Sequence, residues 1–157
     1  MSAACLARSL RRNSARNKEG RAINPTPYLS FQGTCREAMT FYAEVFGGEI
    51  EMMMTAAEMP DFPVPDDKKD WIAHCGLKLG NGELLASDDL MGVTGPMDGC
   101  SVMMSFGARP EAVAAFDKLA EGGTVRMAFA ETFWSAGFGT LTDRFGTHWM
   151  IDTADPA

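Results

Sequence analysis

The sequence predicts an α+β protein of two tandem βαβββ modules, whose curved mixed sheets surround a central cavity with the helices outside. The main observation is an internal repeat, because Glu37-Ala38 corresponds to Glu111-Ala112 at an offset of 74 residues. The segment 82–88 corresponds in a similar way to the segment 146–152. A single βαβββ unit cannot cover both faces of its own sheet. Two units side by side would therefore leave a concave sheet face to enclose a cavity.

The first module is predicted over residues 23–90. Tyr28 to Phe31 alternate across two faces, which is typical of a strand. The next segment has one apolar face at helical spacing, and Gly47-Gly48 is typical of a helix end; the apolar residues are Ala38, Phe41, Tyr42 and Val45. Further strands are expected at 48–56, 71–79 and 83–87, the last two joined by an Asn81-Gly82 hairpin turn. Residues 58–70 are proline-rich and acidic, and they predict a solvated loop long enough to act as a lid.

A linker rich in glycine and proline is predicted at 91–99, before the second module at 100–153. Strands are expected at 101–106, 124–131, 137–143 and 147–152, and a helix at 110–121. This helix has Pro110 in its first turn, where proline is tolerated, and Gly122-Gly123 at its end. The order of elements therefore repeats that of the first module.

Charge is unevenly distributed along the chain. Residues 1–22 contain six basic residues against Glu19 alone, whereas the remainder has 8 basic and 20 acidic residues, a balance of −12. We interpret 1–22 as a disordered basic extension. It mildly resembles an arginine-rich transit segment, and a misassigned translation start or a remnant of cloning would have the same composition. The acidic body argues against nucleic acid as a partner, because phosphate binding needs clustered lysine and arginine.

The cysteines favour a reducing compartment. Cys5, Cys35, Cys75 and Cys100 show no C-x-x-C spacing, which is typical of small buried thiols in a cytoplasmic protein. No apolar run approaches the ~20 residues that a membrane span needs. We therefore expect a cytoplasmic protein with no membrane partner.

Several motifs between residues 24 and 152 carry a family resemblance. They are Pro27-Tyr28-Leu29-Ser30-Phe31-Gln32-Gly33, Phe41-Tyr42, Phe46-Gly47-Gly48, Ala86-Ser87-Asp88-Asp89 and the run 138–151. With the duplicated βαβββ pattern, they resemble the vicinal oxygen chelate superfamily, which includes glyoxalase I, bleomycin-resistance proteins and extradiol dioxygenases. Within it, the sequence is similar to the PhnB-like family, whose members are often labelled 3-demethylubiquinone 3-methyltransferase-like. The resemblance implies a homodimer.

The methyltransferase label predicts a glycine-rich turn between a strand and a helix. The two G-x-G segments do not match that context, since Gly80-Asn81-Gly82 is predicted to be a hairpin turn and Gly137-Phe138-Gly139 to lead into a strand. Methyl transfer from S-adenosylmethionine is therefore not expected.

The resemblance also implies where a metal would bind. Metal-dependent members carry His or Glu near the start of the first strand and the end of the last strand of each module. In this sequence those positions correspond to Pro27, Met150 and about Ser101. Neither proline nor a thioether can replace a carboxylate or imidazole for Zn, Ni or Fe(II). We therefore expect no metal and no cofactor.

The cavity is instead predicted to be lined by apolar side chains, including flexible and polarizable methionines. Its expected lining is Phe31, Met103, Trp134, Phe138 and Met150, with Ser87, Ser105, His74 and His148 as polar contacts. For each Met or Phe, simple core filling is the alternative, and each His could be a hydrogen-bonded wall residue. Strand alternation predicts Trp149 and Ile151 against the helices, with His148 and Met150 facing inward. A register shift of one residue would exchange the two sets.

Three functions fit these features. The first is a metal-free protein that binds a small molecule in the cavity. The second is a lyase or isomerase of the glyoxalase-like type, acting on a small oxygen-rich substrate with His74 or His148 as general base. In the third, the cavity is vestigial and the protein acts through association at edge strands or dimer contacts.

Overall fold

The structure is a computed structural model that describes residues 24–153. The predicted basic extension at 1–22 lies outside the described residues. The described chain contains two α-helices and eight strands. In chain order they are β1 (Tyr28–Phe31), α1 (Cys35–Phe46), β2 (Glu49–Thr55), β3 (Ile72–Leu79), β4 (Gly82–Asp88), β5 (Val102–Phe106), α2 (Arg109–Ala120), β6 (Thr124–Ala130), β7 (Phe138–Thr142) and β8 (His148–Thr153).

The strands form two four-stranded mixed sheets with equivalent topology. The strand orders are β1-β4-β3-β2 and β5-β8-β7-β6. In each sheet the first strand runs parallel to the last strand of its module, and the other pairs are antiparallel. The predicted α+β class and the duplicated βαβββ order are confirmed. No helix within 24–153 is long and apolar enough to cross a membrane.

The described chain divides into two compact units. Unit 1 comprises the chain up to Met39 together with Glu49–Gly92. Unit 2 comprises Thr40–Gly48 and the chain from Val93 onward. The second half of α1 therefore belongs to the unit that contains β5 to β8.

The Asp88 carboxylate organises the covered face of unit 1. Its Oδ1 accepts hydrogen bonds from the backbone N–H groups of Gly33 at 2.7 Å and Cys35 at 3.0 Å, and its Oδ2 accepts one from Ile72 at 2.8 Å. A carboxylate at the first residue of α1 satisfies a free helix N–H and interacts favourably with the helix dipole. Phe31 is aligned with Asp88 in the parallel β1–β4 pair, so both side chains lie on this covered face.

The segment between β2 and β3 is anchored within unit 1. It contains two short 3-10 turns, Ala56–Glu58 and Asp66–Lys68. Lys68 donates to the carbonyl groups of Asp89 and Leu90 at 3.3 Å, and its ammonium lies 4.5 Å from the centre of the Trp71 ring. The predicted loop is therefore held to the end of β4 by a charged side chain.

Alternation along β8 separates the two faces of unit 2. Trp149 and Ile151 are fully buried, whereas His148 and Met150 are half-buried. The Trp149 ring centre lies 5.0 Å from that of Tyr42 and 5.1 Å from that of Phe46. The predicted orientation of Trp149 toward helical residues is confirmed, Ile151 shares its buried face, and His148 and Met150 lie on the opposite face of the sheet.

The turn between β7 and β8 is built around the buried Asp143 carboxylate. Its Oδ2 accepts hydrogen bonds from the Tyr42 hydroxyl at 2.6 Å and from Trp149 Nε1 at 2.8 Å. Its Oδ1 accepts hydrogen bonds from the backbone N–H groups of Phe145 and Thr147. Burial, together with the Asp143 charge, raises the pKa of Tyr42, so this hydroxyl remains a donor. Four donors therefore satisfy the buried carboxylate and set the start of β8.

We expect Tyr42→Phe to lower the free energy of unfolding by roughly 1–3 kcal/mol, because it removes a donor from a buried carboxylate. Tyr28→Phe is the comparison variant, because its hydroxyl belongs to a side chain that is 49% exposed and makes one longer contact, at 3.3 Å, with His74 Nδ1. It should lower stability by about 0.5 kcal/mol, the low end of the range for one neutral hydrogen bond. Urea denaturation followed by tryptophan fluorescence measures both changes, and equal effects would contradict the role given to Asp143.

Candidate ligand-binding site

The open face of unit 2 is the sheet face opposite Trp149 and Ile151. Strand register places its side chains in three successive rows across the sheet. The first row contains Thr142 and His148, the second Met127, Thr140, Met150 and Met103, and the third Phe138, Asp152 and Ser105. Four of the predicted ligand contacts, Met103, Ser105, Phe138 and Met150, therefore share this face with His148.

A pocket of about 340 Å³ lies at the His148 end of this face. It is lined by Asp98, Gly99, Cys100, Ser101, Arg126, His148 and Met150. The pocket combines a histidine, a guanidinium, a thiol and a thioether with one carboxylate. Cys100 is exposed, unlike the buried Cys35 and Cys75, so the expectation of buried thiols is wrong at this position.

Two neighbours determine the tautomer of His148. Its Nδ1 lies 3.2 Å from the carbonyl oxygen of Cys100, and its Nε2 lies 3.2 Å from Nη2 of Arg126. A carbonyl only accepts and a guanidinium only donates, so Nδ1 carries the hydrogen and Nε2 is the acceptor. The imidazole therefore presents the Nε2 lone pair to the arginine.

Arg126 retains most of its donor capacity. A guanidinium has five N–H donors, and its contact with His148 occupies one nitrogen. The salt bridges among residues 24–153 involve Lys69 with Asp66 and Lys78 with Glu51, so Arg126 has no carboxylate partner within the described chain. The guanidinium is thus available to a ligand oxygen at the pocket.

The third row lies beside an aromatic cluster. The Trp134 ring meets that of Phe138 edge-on with 5.8 Å between centres, and the Phe133 ring meets that of Trp134 at 4.5 Å. Trp134 is 53% exposed and Phe133 is 93% exposed. The predicted contact Trp134 therefore stands at the edge of the open face, in a solvent-accessible position.

Unit 1 holds the remaining predicted polar residues. His74 is buried, and its Nδ1 lies 3.3 Å from the Tyr28 hydroxyl. Burial lowers the pKa of His74, against a smaller opposing effect from Glu83. Ser87 is half-buried and aligned with Ser30 on the face opposite Asp88. His74 and His148 thus belong to different units, and each has hydrogen-bond partners within its own unit.

Phe31 differs from the expectation that it lines a cavity. It is 5% exposed and shares the covered face of unit 1 with Leu29, in register with Ala86 and Asp88. The hydrogen bond from Cys35 N–H to Asp88 shows that this face meets the start of α1. Alternation alone separates Phe31 from Ser30, but the tertiary fold decides which of them is covered. Phe31 is therefore a core residue.

The residues present do not fit a divalent metal. No group of three or more His, Cys, Asp or Glu side chains within 24–153 is arranged to hold a metal ion. The expected ligand position lies within β8 and holds the thioether of Met150, a soft ligand that suits neither Zn nor Fe(II) in an oxygen and nitrogen site. The described side chains at this position therefore do not supply the carboxylate and imidazole ligands that a divalent metal would need.

Arg126 is the site residue that sequence reasoning missed. Val125 pairs with Leu141 and Met127 with Thr140, so β6 has one extra residue relative to β7 at this point. Such a β-bulge redirects a side chain and breaks the two-residue alternation. From the sequence, an isolated arginine in an edge strand is predicted to be exposed to solvent, and no sequence pattern indicates the bulge.

The fold and the open face define the class of protein. A solved glyoxylase/bleomycin resistance protein/dioxygenase domain from Frankia sp. EAN1pec is similar in fold, with a TM-score of 0.60 at 12% identity over 86% of this chain and 93% of that one. The chain thus has the glyoxalase/bleomycin resistance/dioxygenase fold. It belongs to the PhnB-like family described as 3-demethylubiquinone-9 3-methyltransferase, which matches residues 24–152.

Two relatives are similar over nearly their whole length. Protein YjdN of Escherichia coli (strain K12) is 32% identical over 139 residues, which is 81% of this chain and 92% of the relative. The crystal structure of protein PA1353 from Pseudomonas aeruginosa has a TM-score of 0.78 at 40% identity, over 84% of this chain and 98% of that one. These similarities agree with the family and the fold.

The lowered pKa of His74 predicts a pH dependence of stability. The unfolded chain binds a proton near pH 6.5 while the folded chain resists it, so stability should be intact above 6.5 and fall as the pH falls below it. The slope should not exceed about 1.4 kcal/mol per pH unit for one proton. Urea denaturation between pH 7 and 5 should show this loss in the wild type and a smaller one in His74→Gln. Identical profiles would contradict the assignment.

Proposed function

We propose that this protein binds a small organic molecule with an acidic oxygen on the open face of unit 2, without a divalent metal. The observation that carries this proposal is the Arg126–His148 pair, which adjoins the methionine row of that face. In this site the guanidinium takes the place of a metal as the positive charge that attracts oxygen.

The local charge of Arg126 supports an acidic ligand group. The chain from residue 23 onward carries a balance of −12, which disfavours anions elsewhere on the protein, but no carboxylate among residues 24–153 forms a salt bridge with Arg126. His148 accepts from one guanidinium nitrogen and so restrains the side chain. A restrained guanidinium binds carboxylate or phosphate oxygens through two parallel hydrogen bonds, which is the geometry that favours arginine over lysine.

The second row supports an apolar ligand body. Met103 and Met150 are direct neighbours on parallel strands, and Met127 lies in the same row across Thr140. Met103 is 53% exposed and Met127 is 41% exposed, so these thioethers are accessible. Methionine side chains adapt to irregular apolar shapes because they are unbranched and polarizable.

The methyltransferase description of the family finds no support in the strand-to-helix connections. Methyl transfer from S-adenosylmethionine in the common fold uses a glycine-rich turn between a strand and a helix. Here those connections are Gln32 to Thr34 and Gly107 to Ala108, neither of which has a G-x-G sequence. The segment Gly80-Asn81-Gly82 joins β3 to β4, as its hairpin signal predicts.

Calorimetric titration of aliphatic and aromatic carboxylates, each paired with its neutral amide, tests the proposal. We expect carboxylates to bind more tightly than amides in the presence of EDTA. Arg126→Gln should weaken carboxylate binding by about tenfold or more, which corresponds to the loss of a charge-assisted hydrogen bond. The matched control is Arg36→Gln, an exposed arginine of unit 1 that should have no effect. A requirement for divalent metal, or equal loss in both variants, would overturn the proposal.

A lyase or isomerase acting on a small oxygen-rich substrate is the second candidate. It is favoured by the Nε2 lone pair of His148, which faces a guanidinium. If a substrate carbonyl oxygen drew the guanidinium away from Nε2, the freed lone pair would remove the proton next to that carbonyl, and Arg126 would stabilise the developing negative oxygen. His74, the other predicted base, is buried in unit 1 with a lowered pKa.

Proton exchange in D₂O tests this second candidate. Proton NMR of pyruvate and longer 2-oxo acids should show loss of the signal next to the carbonyl with the wild type. His148→Gln should slow this exchange by about 100-fold or more, the range of a general base, whereas His74→Gln should retain it. Exchange that is unaffected by His148→Gln, or absent with the wild type, would leave binding as the function.

A further inference from the structure

Two buried polar atoms on the open face of unit 2 have no hydrogen-bond partner. They are Oγ1 of Thr142 and Oδ1 of Asp152. Thr142 is aligned with His148 in the first row, and Asp152 with Phe138 and Ser105 in the third. Buried polar atoms are usually satisfied, and an unsatisfied one destabilises the fold. Thr142 and Asp152 are themselves only half-buried, so the accessible part of each side chain marks a position where a polar ligand group would offset this cost.

The two atoms require different ligand chemistry. The Asp152 carboxylate is an acceptor, so its partner must be a donor, and a positively charged donor forms the stronger hydrogen bond. Near this end of the face the Trp134 and Phe138 rings meet, and the faces of such rings attract cations. At the other end, Arg126 attracts an anion and Thr142 has a free hydroxyl. The open face therefore offers a guanidinium at one end, in a pocket that also contains the Asp98 carboxylate, and the Asp152 carboxylate at the other.

The spacing between these ends fits an elongated molecule. His148 and Asp152 lie four residues apart on β8, which is ~13 Å along a strand. The methionine row lies between them, with Met150 at its centre. A ligand that reaches both ends must therefore have an apolar body with a polar group at each terminus.

We infer that the ligand is a bipolar molecule, with an acidic group at Arg126 and His148 and a protonated amine at Asp152, joined by an apolar chain across the methionine row. This inference rests on the proposed function, because it assigns the chemistry of both ends of the same face. A neutral hydroxyl donor at Asp152 is the rival that the experiment distinguishes.

Three chains of equal length provide the probes: octanoate, omega-hydroxyoctanoate and omega-aminooctanoate. Calorimetry of the full chain should show omega-aminooctanoate binding about tenfold more tightly than octanoate, with omega-hydroxyoctanoate close to octanoate. Asp152→Asn should abolish the advantage of the amine without weakening octanoate. Asp117→Asn is the matched control, since Asp117 is an exposed carboxylate of α2 outside the pocket and the three rows, and it should preserve the advantage.

The outcomes separate this inference from the proposed function. If octanoate binding depends on Arg126 but the amine adds nothing, or its advantage survives Asp152→Asn, the bipolar ligand is wrong and the acidic site stands. Equal gains from hydroxyl and amine would overturn recognition of a cation. Failure of all three probes to bind the wild type would count against both proposals.

A chain-length series provides a test that requires no variant, in case Asp152→Asn does not fold. Gamma-aminobutyrate is too short to span both ends, so its amine should give no advantage over butyrate. An equal advantage at both chain lengths would show that the amine does not reach Asp152, and would overturn the inference.

Discussion

The Asp143 carboxylate is the interaction on which the arrangement of unit 2 depends. It accepts hydrogen bonds from the Tyr42 hydroxyl and Trp149 Nε1, as well as from two backbone N–H groups of its own turn. Trp149 is thereby held on the covered face, and strict alternation along β8 then directs His148 and Met150 to the open face. The hydrogen bonds to this buried carboxylate thus determine which residues of β8 lie on the open face.

The two units share a sheet topology but use different polar anchors. In unit 1, Asp88 lies at the end of β4 and accepts backbone N–H groups near the start of α1. In unit 2, Asp143 lies in the turn before β8 and accepts donors from two aromatic side chains. The two units therefore share a strand topology without sharing the hydrogen bonds that stabilise it, and their open faces carry different side chains. The Arg126–His148 pair beside a methionine row belongs to unit 2.

The site residues show which features a sequence pattern can predict and which it cannot. Alternation correctly paired His148 with Met150, because a strand has a two-residue period that the sequence displays. It could not decide which face of β1 is covered, and Phe31 proved to be a core residue. Arg126 was missed because its position depends on a β-bulge in β6, and a bulge arises from pairing with another strand. The buried state of Asp152 Oδ1 likewise depends on packing around it.

The duplicated βαβββ order, the α+β class and the alternation of the strands could be predicted from the amino-acid order, because they follow from local periodicity, turn residues and an internal repeat. The covered strand faces, the contact between Arg126 and His148 and the unsatisfied oxygen of Asp152 came from the folded arrangement of the strands. Those features depend on register between strands distant in the chain. One inserted residue in β6 is enough to change which side chains meet.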